Sequence, residues 1–178
     1  MSEDRERWNR RYLTGRESPL HLTLCRFYTL ARRGKALDIA CGTGENSLFL
    51  AKKGFEVHAF DISDVAIRRA RRKAKREGVR VNFKVCDAVK FSFTPETYDL
   101  VLNFFFLERR IFPKIVRTLR RGGILIFETY NVEHRVIRRD FNPAYLLRKG
   151  ELLKAFSALE VLYYCEVSNV TTLVARKP

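Results

Sequence analysis

Short apolar runs alternate with amphipathic stretches along most of this chain, a rhythm that predicts a parallel sheet covered by helices on both faces. Lys35 to Ala40 reads as the first strand, and Ser47 to Lys53 as its helix, closed by Gly54. Phe55 to Phe60 is the second strand, after which Ser63 caps a helix that runs to Glu77 and stops at Gly78. Arg80 to Val85 alternates apolar and polar positions as a third, partly exposed strand, and Tyr98 to Asn103 is a fourth. Phe112 to Leu119 has helical spacing with Pro113 in its first turn. Arg121-Gly122-Gly123 breaks it, and Ile124 to Thr129 is an apolar fifth strand. The rhythm then changes. Asn131 to Tyr145 is polar and irregular, a loop with one helical turn at most, and Glu151 to Phe156 is a short helix. Leu159 to Glu166 and Val170 to Ala175 are strands of a hairpin turned by Val167-Ser168-Asn169. The expected fold class is therefore α/β, a three-layer Rossmann-like sheet, mostly parallel, ending in a C-terminal antiparallel hairpin.

At 178 residues the chain has the size of one domain with a full core, expected to span residues 1–178. Within it, 1–30 is a helical N-terminal lid, 35–129 the nucleotide-binding body, and 130–178 the loop and hairpin. No segment approaches the ~20 apolar residues that span a bilayer, so a soluble, cytoplasmic protein without a membrane partner is expected. Cys25, Cys41, Cys86 and Cys165 are spread out, with no Cys-x-x-Cys pair and no companion histidine cluster. They read as small apolar fillers, and no metal is expected.

Charge adds a second question. There are 35 basic and 20 acidic residues, a net charge of +15. The densest run, Arg68-Arg69-Ala70-Arg71-Arg72-Lys73-Ala74-Lys75-Arg76, lies on a helix whose apolar stripe is Val65, Ile67, Ala70 and Ala74. The charges are expected to ring its outer face, either as a solvated surface or as a contact for a polyanion such as RNA.

The chemistry is concentrated in Ala36-Leu37-Asp38-Ile39-Ala40-Cys41-Gly42-Thr43-Gly44-Glu45-Asn46, with Asp61 at the end of the next strand. Glycines let a ligand approach the backbone, amides at a helix start attract polar or negative groups, and a carboxylate after the second strand suits ribose hydroxyls. A dinucleotide fits poorly. Asp38 would repel a pyrophosphate, the chain lacks room for a second mononucleotide half, and a closing hairpin is foreign to that architecture.

These segments resemble the class I S-adenosylmethionine-dependent methyltransferases over nearly the whole chain. Leu37 to Gly44 matches the first motif, with Ala40 where many members have glycine. Val57-His58-Ala59-Phe60-Asp61-Ile62-Ser63 matches the second, Cys86-Asp87-Ala88 the third and Tyr98 to Asn103 the fourth, while Arg120 to Gly123 is similar to the turn before strand five. Trp8-Asn9-Arg10-Arg11-Tyr12, Gly15 and Ser18-Pro19 resemble the N-terminal segment of the small-molecule branch that includes tellurite-resistance and thiopurine methyltransferases, and Asn142 to Leu147 with Gly150-Glu151-Leu152 is similar to the C-terminal part of tellurite-resistance-like members.

The resemblance implies S-adenosyl-L-methionine as methyl donor and a seven-stranded sheet with one reversed strand. It implies that Asp61, followed by Ile62, holds the ribose hydroxyls. Asp87, followed by Ala88, would hold the adenine amino group, Ala40, Gly42 and Gly44 the close backbone contact, and Asp38 the methionine end. Tyr12 and Arg11 would close the pocket, and Asn103 would line it. Ala40 is expected to tighten the turn only slightly. Asn103-Phe104-Phe105-Phe106 resembles the Asn-Pro-Pro-aromatic signature of exocyclic-amine methylating enzymes without its prolines. Asn103, Tyr130 and His134 are the acceptor-side candidates, although a lone loop histidine reads equally as solvent-exposed, and Glu108 and Arg109 as a surface pair. Three functions stay open: methylation of a small nucleophile, methylation of RNA or protein, and non-catalytic binding of an adenosyl ligand.

Overall fold

The structure, a computed structural model, describes residues 3–178. Its helices are α1 (Glu3–Leu13), α2 (Leu22–Phe27), α3 (Glu45–Lys52), α4 (Asp64–Arg76), α5 (Phe112–Thr118), α6 (His134–Ile137) and α7 (Glu151–Ala155). Its strands are β1 (Lys35–Ile39), β2 (Glu56–Asp61), β3 (Asn82–Val85), β4 (Tyr98–Phe104), β5 (Leu119–Tyr130), β6 (Glu160–Val167) and β7 (Val170–Arg176). They form one seven-stranded sheet in the order β3-β2-β1-β4-β5-β7-β6. Strands β1 to β5 pair in parallel, and β7 runs antiparallel to both β5 and β6. One strand is thus reversed, as the resemblance implies.

Alternation along each strand sends side chains to two separate cores. Leu37, Val101, Leu125 and Phe127 pack with Phe112 and Ile115 of α5 and Leu152 of α7 on one face. Ala36, Val57, Leu100, Leu102 and Ile126 pack with Leu24 of α2 and Leu50 of α3 on the other, which α4 extends through Ile67, Ala70 and Ala74. The central strands β1 and β4 are therefore buried on both sides, which explains their nearly unbroken apolar character.

Several boundaries differ from expectation. The α5 helix ends at Thr118, and β5 begins at Leu119, ahead of the glycines, because Leu119 is already paired with Tyr98. Gly122 and Gly123 exchange backbone hydrogen bonds with Lys177, so the glycine pair is held against the C-terminus instead of hanging as a turn. β3 starts at Asn82, two residues late, where it first meets His58 of β2. His134 opens a helical turn and is buried, not exposed in a loop. Glu108 pairs with Arg110, and Arg109 instead reaches Glu151.

The basic helix needs a larger correction. Arg69 and Lys73 do not ring an outer face; their side chains are 19% and 15% exposed and are covered by the segment that follows α1. Arg69 donates to the carbonyls of Tyr12 and Arg16 and pairs with Glu17, while Lys73 pairs with Glu17 and Glu45. Among the described residues no helix is long and apolar enough to cross a membrane.

Candidate donor and acceptor site

Strand order reverses direction between β1 and β4, and the crevice at the C-terminal ends of those strands is where such sheets bind ligands. Here that crevice gathers the loop after β1, Asp61 at the end of β2, Asp87 after β3 and Asn103 near the end of β4. Register explains the gathering: Ile39 sits beside both Phe60 and Asn103, and the Cys86 amide donates to the Asp61 carbonyl.

The turn after β1 consists of left-handed residues at alternate positions: Ala40 at φ 53°, Gly42 at 55° and Gly44 at 86°. Ala40 therefore does more than tighten the turn. It holds an L-residue in the conformation that favours glycine, at a cost of about 1–2 kcal/mol. Gly44 caps α3 from a position where an added Cβ would press on Phe83 and Ala70. At Gly42 a Cβ would meet the Tyr12 hydroxyl at 2.6 Å and the Ser18 hydroxyl closer still.

Asp61 braces this turn. Its Oδ2 accepts from the Gly42 amide at 2.9 Å and its Oδ1 from the Ser63 amide at 2.8 Å. Ser63 itself caps α4, as its sequence position indicates, by accepting from the Ala66 amide. Burial pushes the Asp61 carboxyl up, and its backbone hydrogen bonds pull against that rise. Asp38 is deeper. Its Oδ2 accepts from the Ser47 hydroxyl at 2.6 Å, and burial raises its carboxyl to about 7, with Asp61 adding to the rise. Asp87 is half-buried and accepts from the Val89 amide; of the residues that follow the two aspartates, Ile62 is half-buried and Ala88 buried.

The α1 helix and the segment after it form a strap over the crevice. Asn9 fixes it to the start of α4 by donating to Asp64 at 2.8 Å and accepting from the Ser63 hydroxyl at 2.7 Å. Ser18 and Thr43 exchange hydrogen bonds, the Ser18 amide donating to Thr43 Oγ1 and the Thr43 amide to Ser18 Oγ. Tyr12 is buried with its phenol beside Ser18 and Asp61, and burial raises it to about 12. Trp8 stacks on Tyr12. Arg11 is not brought into the crevice: it is exposed, with its guanidinium 5.1 Å from the Trp8 ring centre.

Beyond Asn103 lies an aromatic mouth. Asn103 is fully buried, its amide donating to the Phe106 carbonyl at 2.7 Å while its Oδ1 has no partner. Phe105, in the left-handed region, touches Tyr130, and Tyr130 stacks on His134 at 3.9 Å. Asn169 engages His134 Nδ1 at 2.9 Å. Phe104 and Phe105 pack against one core and Phe106 against the other, so this aromatic run serves both core and mouth.

Two residues with no role in the sequence reading complete this edge. His21 lies parallel to Phe104 with ring centres 4.2 Å apart, and burial lowers its imidazole, leaving it neutral near pH 7. Glu128 accepts from the hydroxyls of Thr23 at 2.5 Å and Thr172 at 2.9 Å. A polar residue inside the apolar β5 was the one available signal for Glu128. A groove of about 600 Å³ beside Phe55, Glu56 and Asn82 lies at the opposite, N-terminal ends of β2 and β3.

These oxygens suit a ligand with hydroxyls, amines and a positive centre. Asp38, Asp61, Asp87 and the unpartnered Asn103 Oδ1 all accept, and none presents a fixed cation to it. Among the described residues no group of three or more His, Cys, Asp or Glu is placed to hold a metal ion.

Comparison with known proteins agrees. Residues 36–123 match a family described as a methyltransferase domain. TehB of Haemophilus influenzae is 28% identical over 144 residues, covering 74% of this chain and 48% of TehB. The TehB crystal structure superposes with a TM-score of 0.80 at 17% identity, covering 98% of this chain and 67% of the other. These matches support a class I S-adenosylmethionine-dependent methyltransferase resembling TehB. Among solved members of this fold, PH0226 from Pyrococcus horikoshii gives a TM-score of 0.72 at 25% identity, covering 88% and 89% of the two chains. Magnesium protoporphyrin IX methyltransferase from Synechocystis, solved with bound SAH, gives 0.74 at 17% identity over 98% of each chain. The chain spans about half the length of the curated relatives it matches, 45% for the first two and 48% for TehB.

Proposed function

We propose that this chain transfers the methyl group of S-adenosylmethionine to a small-molecule nucleophile bound in the aromatic mouth. One observation carries the reading: the strap residues Tyr12 and Ser18 lie directly on Gly42, while His21, Phe104, Phe105 and Tyr130 line the continuation of the same crevice. A crevice roofed this closely favours a compact acceptor over a macromolecule. It also means that the strap shifts to admit the donor.

The sulfonium supplies a methyl group already activated for displacement. The chain's residues have to bind, orient and exclude water, and orientation alone can be worth roughly 7–11 kcal/mol. In this reading Asp61 and Asp87 hold the nucleoside, Asp38 faces the amino-acid end, and Gly42 and Gly44 allow backbone contact. Tyr12 closes the roof, and Arg11 reaches the donor carboxylate only if α1 rotates with the strap. Asn103 Oδ1 sits at the junction of donor and acceptor sides, where it can accept from an amine or hydroxyl of either. Tyr130 and neutral His134 or His21 line the acceptor path, so a proton leaving the nucleophile has a neutral imidazole within the mouth to receive it.

Calorimetry with S-adenosylhomocysteine tests the donor half. Micromolar binding is expected, and Asp61→Ala should weaken it by at least about tenfold, the loss of a charge-assisted hydrogen bond of roughly 1.5–3 kcal/mol. Undiminished affinity in a folded Asp61→Ala protein would remove Asp61 from the donor site. A radiolabelled donor with a panel of thiols, chalcogen oxyanions and heterocycles then tests the acceptor half, and methyl transfer to RNA or protein alone would overturn it.

A further inference from the structure

The α4 helix carries two kinds of positive charge. On the strap side Arg68, Arg69 and Lys73 all have carboxylate partners, Asp64, Glu17 and Glu45. On the β3 side the situation is reversed. Arg71, Arg72, Lys75, Arg76, Arg80 and Lys84 are all exposed, and among the described residues none has a carboxylate within 4 Å. The Arg71 guanidinium donates to the Phe83 carbonyl at 2.6 Å, which fixes its position on the wall of the groove.

This basic surface has a shape. Arg71, Lys75 and Arg80 line the groove of about 600 Å³ between the C-terminal half of α4 and the edge strand β3, together with Asn82. The carboxylate in its lining, Glu56, is already engaged by Lys35 at 3.7 Å and His58 at 3.3 Å. The aromatic lining, Phe55 and Phe83, is buried at 5% exposure each, so no ring is presented for stacking bases.

We infer that this groove binds the phosphate backbone of a nucleic acid, without reading its sequence. Clustered cations without carboxylate partners around a concave groove are complementary to a chain of phosphates, whose condensed counterions they release. A membrane surface fits less well, because the cations line a concavity and no exposed apolar side chain stands among them to enter lipid. The groove sits at the N-terminal ends of β2 and β3, away from the aromatic mouth, so bound nucleic acid is a tether and not the methyl acceptor. The inference stands independently of the donor and acceptor assignments.

Fluorescence anisotropy of the full chain with labelled oligouridylate tests it. Affinity should fall steeply between about 50 and 200 mM salt, with a log–log slope near −4 if six cations engage, at about −0.7 per phosphate on a single strand. Lys75→Glu/Arg76→Glu/Arg80→Glu should cost at least about tenfold in affinity and flatten the slope by roughly 2. The comparison protein is Arg121→Glu/Arg135→Glu/Lys154→Glu, which changes net charge equally at exposed positions outside the groove. It should keep most of the binding. S-adenosylhomocysteine affinity serves as the folding control for both. Equal losses in the two triple variants, or no oligouridylate binding near physiological salt, would overturn the groove assignment. So would binding to phosphatidylserine vesicles in preference to oligouridylate.

Discussion

Asp38 shows how one buried carboxyl sets a pH dependence of unusual sign. Its ordinary value in an unfolded chain is about 3.9, and in the folded protein burial lifts it to about 7. Between those values the folded state holds a proton that the unfolded state has lost. Stability contributed by Asp38 is therefore full at about pH 4 and declines as pH rises to about 7, the reverse of a salt-bridged aspartate. Asp61 shifts in the same direction for the same reason. Asp38→Asn keeps an acceptor for the Ser47 hydroxyl and removes the titration. Urea unfolding at pH 5 and pH 8 should show wild type losing stability over that interval and Asp38→Asn losing distinctly less. Equal losses in the two proteins would assign the dependence to other groups. The sequence made Asp38 conspicuous through its place before the glycines. It could not show that Ser47, in the first turn of α3, would be its partner, because that contact depends on how α3 folds back over β1.

At the scale of elements, the strap is the part of the molecule whose role depends on long-range pairing. Residues 1–30 are expected from the sequence as a helical lid with Tyr12 and Arg11 closing the pocket, and what the sequence does not show is which contacts dock it. Asn9 meets Ser63 and Asp64 across more than fifty residues of chain, and nothing local in an Asn-Arg-Arg run announces that. The strands, by contrast, were readable to within a few residues, since alternation and apolar runs are local signals of burial. They failed where tertiary pairing overrode local chemistry, as at Leu119, recruited into β5 by Tyr98. Arg69 clamps the strap through the carbonyls of Tyr12 and Arg16 and the carboxylate of Glu17. Arg69→Ala removes charge-assisted hydrogen bonds worth roughly 1.5 kcal/mol or more, about tenfold in the population of the open strap. Limited trypsinolysis should then cut after Arg10, Arg11 or Arg16 about tenfold faster, with an unchanged far-UV spectrum. An unchanged cleavage rate would mean that Asn9 and Asp64 hold the strap without Arg69.

For the whole molecule, the +15 charge opposes compactness in a way that individual pairs conceal. Ion pairs act at contact and weaken modestly with salt, whereas repulsion among unpaired cations accumulates over the surface. That repulsion is long-ranged only while the Debye length is long, roughly 30 Å at 0.01 M against 10 Å at 0.1 M. Two opposite salt effects therefore compete, and the excess of bases over acids decides between them. Relief of repulsion should win, raising Tm by roughly 2–4 °C, the shift that about 1 kcal/mol produces in a chain of this size. The β3-side cations are the densest unpaired group, so Lys75→Glu/Arg76→Glu/Arg80→Glu should raise Tm at low salt and flatten its salt dependence. A melting point that falls on adding salt would show that the pairs around Glu17, Asp64 and Glu151 outweigh the net charge. In that case the basic edge would be compensated in the free protein and would have less counterion release to offer a polyanion.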